Sequence, residues 1–126
     1  MVQQVTQGIK VSVETQFEGT IYKDQQKQYA FSYRVIIENQ SNFRVKLTSR
    51  YWIIKDALNN LEIVEGKGVI GLQPVIEPGD KHEYNSGCLL VSPIGSMQGY
   101  YKMISQEKEI KANIPLFKLS APFAMN

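Results

Sequence analysis

Hydrophobic and polar residues alternate with a period of two along most of this chain. From Ile9 to Glu18, positions 11, 13, 15 and 17 alternate with polar neighbours, and positions 29–38 repeat the pattern. A third row predicts one shared face for Phe43, Val45, Leu47, Ser49, Tyr51 and Ile53. A period of two is typical of a strand with one buried face. The pattern therefore predicts three long strands, and Trp52 and Ile54 add apolar bulk on the opposite face of the third.

Turn-forming residues divide the remainder of the chain into shorter segments. Asn59-Asn60 predicts a tight turn, Glu77-Pro78-Gly79-Asp80 predicts a type II turn, and residues 92–96 predict another turn. The further strands that the pattern predicts run over residues 61–65, 75–76, 82–88, 97–104 and 110–119. Helical periodicity is absent over any stretch of ten residues or more. Seven or eight short antiparallel strands predict an all-β sandwich.

Composition restricts the classes of protein to which the chain can belong. With 126 residues, 43% of them hydrophobic, the sequence predicts a single domain over residues 1–126. The net charge of +2 comes from interspersed charges of both signs, which predicts no nucleic-acid partner. The single Cys88 rules out an internal disulfide and, with glutamines near the N-terminus, favours a cytoplasmic location. No stretch of about eighteen apolar residues is present, so no membrane span is expected.

The spacing of Gly66, Gly68 and Gly71 matches the GxGxxG pattern that binds a dinucleotide pyrophosphate. That chemistry requires a helix directly after the loop, and here Pro74 and Pro78 follow, which exclude a long helix. We therefore favour a structural role in which the glycines let the loop lie close to the sheet. Lys67 still offers a charge to an anion, so a nucleotide, pyrophosphate or divalent metal at this loop stays an alternative.

The chain has few residues suited to a metal site or to catalysis. Asp80, His82, Glu83 and Cys88 lie in one region, but one histidine and one cysteine fall short of a zinc site. His82 and Cys88 are six residues apart on one predicted strand, about 20 Å, which is too far for a catalytic pair. We interpret the four scattered carboxylates as solvated surface groups; these are Asp56, Glu62, Glu65 and Glu77. The sequence predicts no catalytic residue, no metal site and no cofactor.

Arg50 and Trp52 share one face of the third predicted strand. Large aromatic side chains in sandwich strands usually fill the space between the sheets, so Trp52 is expected in the core. Arg50 is the better candidate for binding. The candidate binding residues are therefore Arg50 and Trp52 on the strand and Gly66, Lys67, Gly68, Gly71, Gln73 and Pro74 in the loop.

A set of motifs resembles the ApaG family over most of the chain. These motifs are Arg50-x-Trp52-x-Ile54-x-Asp56, Val64-x-Gly66-x-Gly68-Val69-x-Gly71-x-Gln73-Pro74, Pro78-Gly79, Tyr84-x-Ser86-Gly87-Cys88 and Gly95-x-Met97-x-Gly99-x-Tyr101-x-Met103. Two departures stand out: Leu58-Asn59-Asn60 replaces a glycine-containing turn, and Leu72 replaces a charged residue. The resemblance implies a single ApaG domain with a fibronectin type III-like or immunoglobulin-like sandwich.

The same resemblance implies a binding role. Family members are labelled as cobalt and magnesium efflux proteins, and related domains occur in an F-box protein and a DNA-polymerase-associated protein. Without a membrane span, a role in metal efflux is indirect. The leading hypothesis is a non-enzymatic module that binds an unknown protein through loops and a sheet edge around residues 66–78. Catalysis on phosphate esters rests only on the glycine triplet and a neighbouring hydrolase gene, and a homodimer through paired edges stays open.

Overall fold

A computed structural model describes residues 1–57 and 61–125, and nearly all of this part forms antiparallel strands. The strands are β1 Val2–Thr6, β2 Ile9–Lys23, β3 Gln26–Asn39, β4 Val45–Asp56, β5 Glu62–Lys67, β6 Val75–Ile76, β7 Lys81–Leu90, β8 Ile94–Ser105 and β9 Lys108–Ser120. A 3₁₀ helix, Pro122–Met125, follows. The described residues include no helix that is long and apolar enough to cross a membrane. The predicted turn at Asn59-Asn60 lies outside this described part.

The strands form two sheets that pack face to face as a sandwich, which confirms the predicted fold class. The first sheet has the order β1-β2-β3-β7, and the second has the order β5-β4-β8-β9 with β6 also paired to β4. All pairs are antiparallel. Strands β5 and β6 therefore lie along one edge of the second sheet, and β7 forms an edge of the first.

The core lies between the sheets and follows from the alternation in β2 and β3. Every second residue is buried from Ile9 to Val13 of β2 and from Phe31 to Asn39 of β3, and the intervening residues are polar or partly exposed. Their buried side chains are Ile9, Val11, Val13, Phe31, Tyr33, Val35 and Ile37. The second sheet contributes Trp52, Met97, Tyr101, Met103, Ile114, Phe117 and Leu119. Burial of such apolar side chains contributes about 1.5–3 kcal/mol each relative to exposure.

A β-bulge in β4 changes which residues face the core. The pairing with β8 shifts register between Leu47 and Ser49, so that Thr48 is the additional residue. One extra residue moves the following side chains to the opposite face. The single alternating row predicted from residue 43 to residue 53 is therefore wrong beyond Leu47. Trp52 points into the core instead of Tyr51, which is only partly buried.

The structure has turns at two of the predicted places and several that the sequence does not predict. The turn predicted at residues 92–96 lies slightly earlier, at residues 91–93 between β7 and β8. The predicted type II turn is confirmed, because the Asp80 amide donates to the Glu77 carbonyl at 3.0 Å and Gly79 has a φ of 84°. Strands β2 and β3 are joined by a two-residue turn at Asp24 and Gln25, both with positive φ. The sequence does not predict strand β1, which brings the number of strands in the described part to nine.

Candidate functional site

The glycine-rich loop is a hairpin that ends in a tight turn. Strand β5 ends at Lys67, after which Val69 and Leu72 exchange two backbone hydrogen bonds of 2.8 and 2.9 Å. The two residues between them, Ile70 and Gly71, have φ values of 47° and 75°. Positive φ at both central positions defines a type I′ turn. Gly71 suits this geometry, whereas a β-branched residue such as Ile70 is strained in it.

Hydrogen bonds connect the loop to the bulge of β4. The Thr48 carbonyl accepts hydrogen bonds from the Gly68 amide and from Nε2 of Gln73, both at 2.9 Å. The Pro74 carbonyl accepts a 3.0 Å bond from the Leu47 amide. Gly68 has a φ of 59°, and a Cβ atom there would lie 1.9 Å from the Leu72 carbonyl oxygen. Gly68, Gln73 and Pro74 therefore hold the loop against the sheet.

This geometry differs from a pyrophosphate-binding loop in two respects. The amides of Gly68, Val69 and Leu72 donate to protein carbonyls instead of pointing at a ligand. The next element along the chain is the two-residue strand β6, so the loop does not end at the N-terminus of a helix. The structural role predicted for the glycines agrees with both features. Lys67 and Gly71 are exposed at the surface of the loop.

Arg50 connects β4 to the same loop. Its Nη1 atom donates to the carbonyl oxygens of Lys67 and Gly68, each at 2.9 Å. Gly66, the cross-strand partner of Arg50, lies beneath the guanidinium, and a Cβ atom at Gly66 would be 2.9 Å from both Nη1 and Nη2. The structure thus brings four predicted site residues together: Arg50, Gly66, Lys67 and Gly68.

Trp52 belongs to the core and not to this surface. Only 3% of its side chain is exposed, and its ring packs against the rings of Tyr33, Tyr101 and Phe117 at centroid distances of 5.6, 6.3 and 5.9 Å. This placement agrees with the core position predicted for Trp52. Trp52 nevertheless lines part of a cavity that opens at one side of the sandwich.

A cavity of about 190 Å³ lies between the sheets at the side where β5 and β7 form the edges. Its lining consists of Tyr33, Arg50, Trp52, Ile54, Val64, Val69, Ile70, Tyr84, Ser86, Gly87, Cys88 and Met97. Arg50 is the only charged residue among these side chains. The sequence interpretation missed the contributions of Val64 and Ser86, although both lie in the quoted family motifs. Those motifs include Ser86-Gly87-Cys88, a run of small residues that leaves this space open.

Burial suppresses ionisation of the phenols and the thiol around the cavity. It raises the pKa of Tyr84 and raises that of Tyr101 well above its usual range, and the two hydroxyls are hydrogen-bonded to each other. Burial also raises the pKa of Tyr33, an effect that its hydrogen bond to Ser86 partly opposes. It raises the pKa of the Cys88 thiol to about 11, with smaller contributions from Glu62 and Asp56. These groups are therefore neutral at pH 7.

Asp56 has a structural role at the end of β4. Its Oδ2 accepts a 2.7 Å hydrogen bond from the Val91 amide, and its Oδ1 accepts one from the Ser92 hydroxyl. These bonds join β4 to the connection between β7 and β8. Within residues 1–57 and 61–125, no three histidine, cysteine or acidic side chains are grouped in a way that would hold a metal ion.

Apolar side chains are exposed along the edge formed by β5, the loop and β6. We refer to residues 61–76 as the β5–β6 edge. Five large apolar side chains of this edge are more than half exposed, and these are Leu61, Ile63, Ile70, Leu72 and Val75. Strands β5 and β6 both pair with β4, so the backbone of this edge has a strand neighbour on one side only.

Comparison with known proteins gives one consistent result. The family profile for the ApaG domain matches residues 20–105. The chain is 40% identical over 121 residues to Protein ApaG of Beijerinckia indica, covering 95% of this chain and 93% of that protein. It is 41% identical to Protein ApaG of Ectopseudomonas mendocina, covering 94% of each chain.

Two solved structures have the same architecture. A crystal structure of a Bordetella pertussis protein described as ApaA superposes with a TM-score of 0.83 at 36% identity, covering 90% of this chain and 94% of that one. An X-ray structure determined by a structural genomics consortium superposes with a TM-score of 0.86, also at 36% identity. It covers 91% of this chain and 88% of the solved chain.

Proposed function

This chain belongs to the ApaG domain family, and we propose that it is a non-enzymatic module that binds a protein partner along the β5–β6 edge. The observation that carries the proposal is the row of five exposed apolar side chains on a strand edge that lacks a second neighbour. An extended segment of a partner is able to pair with such an edge and to cover these side chains. The cytoplasmic setting favoured by the single cysteine is part of the proposal.

The two components of the edge contribute differently to binding. Backbone hydrogen bonds to β5 position the partner strand, and apolar contacts supply most of the free energy. Exposed edge strands usually carry charges that prevent unwanted pairing. Here Ile63 is the second residue of β5 and is more than half exposed, between the glutamates at positions 62 and 65. An apolar residue at this position favours a partner that covers it.

The backbone strain at Ile70 also supports the β5–β6 edge as the binding surface. Ile70 has a φ of 47°, and a residue other than glycine in this region costs about 1–2 kcal/mol. Its side chain is more than half exposed, so core packing does not compensate for the strain. Unfavourable backbone conformations of this kind often occur at binding sites. We propose that contact with the partner uses the Ile70 side chain directly.

Co-purification from the native cell tests this function with matched variants. Ile63→Lys places a charge on β5, and Ile70→Asn replaces the strained residue by one that tolerates positive φ. We expect each variant to retain less than about one tenth of the bound partner, since losing a central contact costs about 2 kcal/mol or more. Ile21→Lys is the control, because Ile21 is an exposed isoleucine on β2, away from this edge.

Ile70→Asn separates binding from folding. We expect the free energy of unfolding of this variant, measured by urea denaturation, to be about 1 kcal/mol higher than that of the wild type, because the turn strain is relieved. A variant that is more stable and still loses the partner cannot have lost it through misfolding. If quantitative mass spectrometry finds the same proteins in the same amounts for both edge variants and the wild type, the β5–β6 edge is not the binding surface.

Two alternatives have distinct tests. A second copy of the chain at the edge would make the sedimentation coefficient increase with protein concentration, and Ile63→Lys would abolish that increase. A nucleotide, pyrophosphate or divalent metal at the glycine loop would shift the amide resonances of residues 67–71 in an NMR titration. The hydrogen bonds made by the Gly68, Val69 and Leu72 amides argue against this second alternative. Any association with cobalt or magnesium resistance would act through the bound protein.

A further inference from the structure

The cavity between β5 and β7 is large enough for a small organic group. The second sheet lines it with Trp52, Ile54, Val64 and Met97, and the first sheet contributes residues of β3 and β7. An apolar cavity of about 150 Å³ holds one benzene molecule. The volume here is about 190 Å³. It therefore accommodates a single aromatic ring or a branched aliphatic group of similar size.

The charged end of this cavity is formed by an arginine without an anionic partner. The sequence contains three arginines. Arg34 pairs with Glu83 at 3.3 Å and Arg44 pairs with Glu77 at 2.6 Å. Among the residues that the structure describes, Arg50 has no such ion pair, although it is less exposed than the other two. Its only described hydrogen bonds use Nη1, and a guanidinium has five N–H donors.

The other polar groups at the cavity are neutral. They are the hydroxyls of Tyr33, Tyr84 and Ser86 and the thiol of Cys88, and no carboxylate lines the cavity in the described part of the chain. An unpaired cation in a partly desolvated site attracts an anion more strongly than it would in water. Arginine is also the side chain whose fork of donors matches a carboxylate in a bidentate arrangement.

We infer that this cavity binds a small organic carboxylate, with the carboxylate on Arg50 and a compact aromatic or branched apolar group between Trp52, Val64 and Met97. The site adjoins the β5–β6 edge proposed for the protein partner, and Val64, Val69 and Ile70 belong to both regions. The Arg50 side chain keeps its two bonds to the loop carbonyls and contributes its remaining donors to the ligand.

An NMR titration with two probes of equal size tests the site. Phenylacetate carries the carboxylate, and phenylacetamide has the same ring with a neutral amide. We expect saturable shifts of the Val64, Ser86 and Cys88 amides with phenylacetate at millimolar concentrations. We expect the amide to bind about tenfold more weakly or worse, because a hydrogen bond between charged groups is stronger than a neutral one. Equal affinities for the two probes, or shifts that do not saturate, would overturn the inference.

Three variants identify the groups responsible. Arg50→Gln should remove the preference for phenylacetate over phenylacetamide. Lys55→Gln, which deletes an exposed charge on the same strand outside the cavity, should leave that preference unchanged. Val64→Phe fills the apolar end and should abolish binding of both probes. This third variant keeps the test decisive if Arg50→Gln fails to fold. If Lys55→Gln lowers the preference as much as Arg50→Gln, attraction to general surface charge explains the result and the site is rejected.

Discussion

At the scale of single residues, the loop geometry depends on the space left by a missing side chain. Gly66 lies opposite Arg50 in the β4–β5 pair, and its hydrogen allows the guanidinium to lie against the backbone. From this position Nη1 reaches the carbonyl oxygens of Lys67 and Gly68. The second glycine of the GxGxxG pattern meets the Leu72 carbonyl in the same way. The spacing that suggested a phosphate site therefore satisfies a packing requirement.

A double-mutant cycle tests this explanation. In Gly66→Ala the added methyl group would lie 2.9 Å from the Arg50 nitrogens, so the side chain must move away from the two carbonyl oxygens. We expect a loss of about 1–2 kcal/mol in the free energy of unfolding, measured by urea denaturation. In an Arg50→Ala background the same glycine substitution should cost much less, since nothing remains to be displaced. An identical cost in both backgrounds would show that Arg50 is not the reason for the glycine.

At the scale of elements, the bulge in β4 explains why the loop and the core strand occur together in the sequence motifs. The extra residue turns the Thr48 carbonyl away from the regular ladder, where the Gly68 amide and the Gln73 side chain bind it. The same bulge brings Arg50 and Trp52 to the inner face of the strand. A substitution in the loop should therefore affect the core strand β4, and a substitution in β4 should affect the loop.

Gln73→Glu tests how much the hydrogen bond from Gln73 to the bulge contributes to stability. Glutamate has nearly the same shape as glutamine but cannot donate to the Thr48 carbonyl when it is ionised. We expect a loss of about 1 kcal/mol or more in the free energy of unfolding at pH 7. The control is Gln98→Glu, because Gln98 is an exposed glutamine on β8 and should tolerate the change within about 0.5 kcal/mol. Equal effects of the two substitutions would mean that Gln73 does not stabilise the bulge.

Local sequence patterns predict the parts of the fold that depend on local residues. The alternation in β3, that in β2 as far as Val13, and the Pro78-Gly79 turn are of this kind, and the structure confirms them. The bulge was not predictable, since alternation alone does not show where one extra residue interrupts it. The turn at Asp24 and Gln25 was missed because neither residue is the glycine that usually marks positive φ.

The candidate site shows the same distinction between local and long-range information. Placing Trp52 in the core required only its strand and its size. The cavity, by contrast, combines residues from five strands, among them Tyr33, Arg50, Val64, Ser86 and Met97. Their proximity follows from the pairing of β4 with β5 and of β3 with β7, which the separate motifs do not specify. The single-domain boundary and the binding roles of the loop residues stay predictions.

At the scale of the whole molecule, the packing of the sheets keeps several weak acids neutral. The Tyr84 and Tyr101 hydroxyls are hydrogen-bonded between the sheets, and the Tyr33 ring packs against Trp52. Cys88 lies on the edge strand β7, where its thiol is 3.8 Å from the Met97 sulfur of the opposite sheet. Because burial raises the pKa of each of these four groups, their ionisation at high pH is linked to separation of the sheets.

The sign of this linkage predicts a loss of stability in alkaline solution. The Cys88 thiol has a pKa of about 11 in the folded chain, against an ordinary value of 9.0. Its contribution is fully present below pH 9 and is lost as the pH rises towards 11, because the unfolded chain releases the proton first. The contribution lost is roughly 3 kcal/mol, from the difference between 9.0 and about 11 at about 1.4 kcal/mol per pKa unit. The three buried tyrosines act in the same direction above pH 10.

Urea denaturation of the wild type and of Cys88→Ala between pH 7 and pH 11 isolates the thiol. We expect the free energy of unfolding of the wild type to decline from about pH 9, whereas that of Cys88→Ala should begin to decline about one pH unit later, when the tyrosines ionise. The difference between the two proteins should therefore shrink as the pH rises. Parallel curves with a constant difference would mean that the thiol ionises equally in both states, and that the contact of Cys88 with the second sheet does not exclude water.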